Sequence, residues 1–122
     1  MKKILNGFIF CLLILLVGCE NTTDPNIKAS TTFVRITNSE TYEYRTGISG
    51  DEEGATIKMQ AKHFLVSDIV RNADTKWEAV YVYKPESVYR GTDYVELELS
   101  TGSDGASPPT NIEIIKIRIQ VE

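Results

Sequence analysis

From Thr31 to the end of this 122-residue chain, β-branched and aromatic residues alternate with polar ones in short runs, and no stretch carries the apolar stripe of an amphipathic helix. A period of two commits each run to a strand with one buried and one wetted face. Thr32 to Thr37 places Val34 and Ile36 together, Thr41 to Arg45 places Tyr42 with Tyr44, and Ala55 to Ala61 runs through Ile57 and Met59. His63 to Val70 is apolar without a clean period, and further runs follow at Trp77 to Lys84, Asp93 to Ser100 and Asn111 to Val121. Gly47 to Gly54, Asn72-Ala73-Asp74 and Thr101 to Thr110 interrupt them as loops. This spacing predicts an all-β antiparallel sandwich of about seven strands in two sheets. In the last run Ile112 and Ile114 share one face, while Ile115, Ile117, Ile119 and Val121 share the other. That phase flip predicts a β-bulge, or a strand that crosses between sheets.

Ahead of the strands lies a different kind of sequence. Lys2 and Lys3 precede an apolar stretch from Phe8 to Val17, then Gly18 and Cys19. The stretch has the length of a signal-peptide core, about 7–15 residues, and is shorter than the about 20 that cross a bilayer. Leu16-Val17-Gly18-Cys19 resembles the lipobox of bacterial lipoproteins. The resemblance implies that residues 1–18 are removed and that the Cys19 thiol carries a diacylglyceryl group as residue one of the mature protein. The competing reading is an uncleaved anchor helix with a chance cysteine. Each buried methylene contributes about 0.8 kcal/mol, so two or three acyl chains make the tether permanent. Glu20 stands where inner-membrane lipoproteins of enterobacteria carry Asp, which implies the outer membrane, on either of its sides. Glu20 to Ser30 is polar, contains Pro25 and has no period, so 19–30 is expected to be a lipidated cysteine and flexible linker, with the domain at 31–122.

Composition excludes several functions. Loss of Lys2 and Lys3 with the leader takes 13 basic residues to 11 against 17 acidic ones, a net charge of −6. Nucleic-acid binding needs clustered Lys and Arg, so it is not expected. Both cysteines, Cys11 and Cys19, precede the domain, which therefore has no disulfide, zinc-thiolate site or thiol nucleophile.

The segment from Tyr83-Lys84-Pro85 through Gly91-Thr92-Asp93 to the alternation Tyr94-Val95-Glu96-Leu97-Glu98-Leu99 resembles bacterial Ig-like, cadherin-like domains, and Ile112 to Val121 resembles their closing strand. The resemblance covers roughly the C-terminal 45 residues and implies an Ig-like sandwich. It departs at the long loop Thr101 to Thr110, with Pro108 and Pro109. Physically, Pro85 ends a strand's hydrogen bonding, Gly91 permits a positive φ, and Asp93 bonds its own loop amides. With Tyr83 buried as in the family, Tyr81 and Ala79 share its face, and Val80 and Val82 point outward as an apolar stripe for a partner. Val95, Leu97 and Leu99 are then buried, with Tyr94, Glu96 and Glu98 in solvent.

Catalytic chemistry finds little support. His63 is the sole histidine, and Ser67 and Asp68, four and five residues on, lie about 13–17 Å away along an extended chain. No catalytic residue, resident metal or cofactor is expected. Asp51-Glu52-Glu53, flanked by Gly50 and Gly54, has the oxygen donors for calcium, but a solvated loop tip accounts for it more simply. Among the aromatics Tyr42, Tyr44, Trp77, Tyr81, Tyr83, Tyr89 and Tyr94, the core claims Tyr81 and Tyr83, and Trp77 and Tyr94 are open to either fate. The expectation is a membrane-anchored, non-enzymatic envelope lipoprotein whose domain binds or assembles with a protein partner. The alternative is a carbohydrate-binding or accessory subunit of an envelope enzyme system.

Overall fold

The computed structural model describes residues 24–122, which form seven strands and no helix. In chain order these are β1 (Asn26–Ile36), β2 (Tyr42–Arg45), β3 (Gly54–Met59), β4 (Phe64–Val70), β5 (Val80–Pro85), β6 (Gly91–Thr101) and β7 (Asn111–Val121). A four-stranded sheet in the order β1-β7-β6-β3 faces a three-stranded sheet in the order β2-β5-β4. This is the expected all-β sandwich of seven strands in two sheets. All pairings are antiparallel except β1 with β7, which run parallel over their whole length.

The period of two does the building. Val95, Leu97 and Leu99 of β6 and Ile115, Ile117, Ile119 and Val121 of β7 point inward against Tyr81 and Tyr83 of β5, and all are buried. Pro85 closes β5, and Gly91 opens β6 with φ of 144°, the positive value expected of it. A side chain at Gly91 would also fall against the Tyr89 hydroxyl, 2.9 Å from where its Cβ would sit.

Four expectations are corrected. The first strand begins at Asn26, inside the segment 19–30 read as linker, because Asn26 to Ser30 pair with Asn111 to Ile115. The fifth strand begins at Val80 and leaves Trp77 in a turn. Val80 is buried rather than outward, so Val80 and Val82 form no exposed stripe; Val80 lies in register between Arg45 and Val70. No bulge interrupts β7, whose register with β6 runs unbroken from Asn111 to Val121. Ile114 lies on the outer face between Glu98 and Ala29 in register and is buried there all the same. The register shifts fall instead in β3 between Ile57 and Met59 and in β4 between Phe64 and Val66. Both flank residues 60–63, where the chain leaves one sheet for the other.

Candidate functional site

The outer face of the four-stranded sheet carries the largest concession to solvent. Register places Phe33 of β1 beside Arg118 of β7, and Arg118 beside Tyr94 of β6, so the three form a row across three strands. The Arg118 guanidinium lies 5.6 Å from the Phe33 ring centre and 5.9 Å from that of Tyr94. Phe33 is 69% exposed, Tyr94 50%, and Met59, at the end of β3, 44%. With Thr31 and Glu96 these residues border a groove of about 280 Å³. Among the described residues Arg118 forms no ion pair, whereas Lys116 is 3.8 Å from Glu96. A guanidinium held between two rings is oriented in advance, and its N–H edges remain free for an acceptor.

Tyr83 and Asp93 meet inside the sandwich. Asp93 is buried, and its carboxylate accepts hydrogen bonds from the Tyr83 hydroxyl at 3.0 Å, from the Lys62 amide at 2.9 Å and from the His63 amide at 2.8 Å. It also bonds the adjacent Tyr94 amide, but its main partners lie across the sandwich rather than in its own loop. The amides of residues 62 and 63 sit where the chain changes sheets and has no ladder partner, so a carboxylate is needed there to satisfy them. Burial, then the Asp93 charge, raises the Tyr83 pKa far above the ordinary range. Tyr81 bonds Ser67, and burial pushes its pKa up to about 12. These groups are structural.

The structure does not assemble His63, Ser67 and Asp68 into a triad. Ser67 is buried against Tyr81 and Gln60, Asp68 bonds the neighbouring Ile69 amide, and His63 stacks on Tyr89 with ring centres 4.1 Å apart. In the acidic loop, the Glu53 carboxylate accepts from the amides of Ser49 and Gly50, while Arg71 donates to the carbonyls of Gly50 and Glu53. A fixed cation thus takes two of the oxygens that a calcium loop offers. Cys19 lies outside the described residues.

Trp77 is 61% exposed on a turn that few residue types favour: Lys76 has φ of 54° and Trp77 φ of 64°. Asn72 and Thr75 bond reciprocally, the Trp77 amide donates to the Asn72 carbonyl at 2.8 Å, and Arg71 donates to the Trp77 carbonyl at 2.7 Å. Together they hold one isolated helical turn ended by left-handed residues.

Sequence reasoning missed Phe33, Met59 and Arg118 as site residues. Phe33 was legible as the one large apolar residue out of phase with Val34 and Ile36; Arg118 was not, because its neighbours come from β1 and β6.

No family model matches this chain, and no curated protein matches it. Among solved structures it is similar to a cysteine protease inhibitor from Entamoeba histolytica, with 18% identity over 78% of this chain and 96% of the other and a TM-score of 0.42.

Proposed function

We propose that this chain is a lipid-anchored envelope lipoprotein without catalytic activity, and that its Ig-like domain captures a protein partner through the row Phe33, Arg118 and Tyr94. The exposure of two aromatic rings clamping an unpaired arginine carries this reading. A cation–π contact contributes about 0.5–1 kcal/mol in water and about 2 when water is excluded, so a partner that covers the row strengthens it. Aromatic residues and arginine are also the types that dominate protein interfaces. A glycan fits less well, because two of the four non-aromatic polar side chains lining the groove, Glu96 and Lys116, already face each other, which leaves only Thr31 and Arg118 of the four to meet its hydroxyls. The partner surface is apolar, with a carboxylate for Arg118.

The test is photo-crosslinking in intact cells from positions 33 and 94, with the exposed Val88 as control. A discrete adduct from 33 and 94, absent at 88 and lost on Arg118→Glu, is the expected result. Adducts that ignore Arg118→Glu would remove the row from the interface. Intact mass of the membrane-bound protein reads the anchor: acyl chains on Cys19 and no residues 1–18.

A further inference from the structure

We infer that Trp77 docks into the headgroup region of the bilayer that holds the lipid anchor, and so fixes how the domain stands on the membrane. The inference rests on the proposed acylation of Cys19. It starts from where the strands begin. Asn26 opens β1 beside Asn111, which pairs with Thr101 at the end of β6, and Gly54 opens β3 opposite Ser100. On the other sheet, Arg45 at the end of β2 and Val70 at the end of β4 both pair with Val80 at the start of β5. The loops 46–53, 71–79 and 102–110 are therefore gathered at the end of the sandwich where β1 starts. The Arg71 bonds to Gly50 and Glu53 fasten two of them together.

Asn26 is seven residue steps from Cys19, and at 3.3–3.6 Å each these reach no more than about 25 Å in any conformation. An acylated Cys19 thus keeps this end within that reach of the lipid, whereas the opposite end has no tether. Of the large apolar side chains exposed among the described residues, Ile27 and Trp77 lie at this end. Tryptophan favours the boundary between headgroups and acyl chains because its ring is apolar and its N–H polar. Its turn is rigid: two consecutive left-handed residues of ordinary type cost about 1–2 kcal/mol each and persist here only through the bonds from Arg71, Asn72 and Thr75. The turn holds out the indole without the entropy loss of ordering a loop. Asp51, Glu52, Glu53 and Asp104 share this end, so the matching surface is a zwitterionic bilayer rather than an anionic one.

Trp77 is the chain's one tryptophan, so its emission reports the contact directly. The experiment reconstitutes the mature lipidated protein in phosphatidylcholine vesicles, confirms flotation, and compares ordinary lipid with lipid brominated near the top of the acyl chain. The expected result is a blue-shifted emission, shielded from acrylamide, that loses most of its intensity in brominated vesicles. Emission that stays water-like in protein that floats would overturn the docking while leaving the anchor intact. An indole shielded from acrylamide but untouched by bromine would also overturn it, in favour of a protein contact. Absence of acyl groups in the intact mass would remove anchor and docking together.

Discussion

Asp93 shows how one residue can close a sandwich. Its carboxylate joins the Tyr83 hydroxyl on β5 to the amides of Lys62 and His63 at the sheet crossing, so it ties three segments with one charge. Asp93→Ala leaves both amides without an acceptor and is expected to lower unfolding stability by about 3 kcal/mol, measured as a fall in the urea midpoint. Tyr83→Phe is expected to cost about 1 kcal/mol, since the amides keep their carboxylate. A pH effect belongs to the same interior. Burial raises the Tyr81 pKa to about 12, above the roughly 10 of an unfolded tyrosine, so its neutral form is favoured by folding. Its contribution is fully present below pH about 10 and is lost as pH rises toward 12. Chemical denaturation across that window should show a falling midpoint, and Tyr81→Phe should make the fall shallower without removing it, because the buried Tyr83 is raised in the same direction. Pro85 and Gly91 were legible because their constraints are on their own backbone. The Asp93 partners were not, because residues 62 and 63 lie thirty positions away in sequence.

At the level of elements, the strands follow the alternation wherever one face is dry and the other wet, as in β6 and β7. The alternation misleads where a second neighbour covers the outer face. Ile114 breaks the phase of β7 not because the strand bulges but because its outer position is covered too. Val80 is a second case, buried at the start of β5 against the expected parity. The start of β1 was illegible for a different reason. Asn26 to Ser30 has no apolar period, and its strand form comes from backbone pairing with β7. The turn Asn72 to Trp77 ends in left-handed residues with side chains, so Lys76→Gly is expected to raise stability by up to about 1 kcal/mol. The urea midpoint reads this, and an unchanged or lower value would mean that the turn is not strained.

Across the described residues, exposed aromatic surface falls in two places with different prospects. Trp77 lies at the end where β1 begins. Phe33 lies seven strand residues further on, about 23 Å along β1, with Arg118 and Tyr94 beside it. The proposed anchor at Cys19 would tether the first end to the lipid and leave the second farther along the strand. Phe33→Ala and Tyr94→Ala are each expected to leave stability within about 0.5 kcal/mol, because neither ring is buried, while abolishing the crosslink from the other position. A large loss of stability from either would move the row from binding surface to core.

The sequence by itself determined the two-sheet all-β architecture, most strand positions and the inward face of β6 and β7, because the period of two is a local property that each strand expresses alone. Only the tertiary structure decided the parallel pairing of β1 with β7, the burial of Val80 and Ile114, the reach of Asp93 to residues 62 and 63, and the row of Phe33, Arg118 and Tyr94. Each of these depends on which strands lie side by side, and hydrophobic alternation specifies a strand's faces without naming its neighbours.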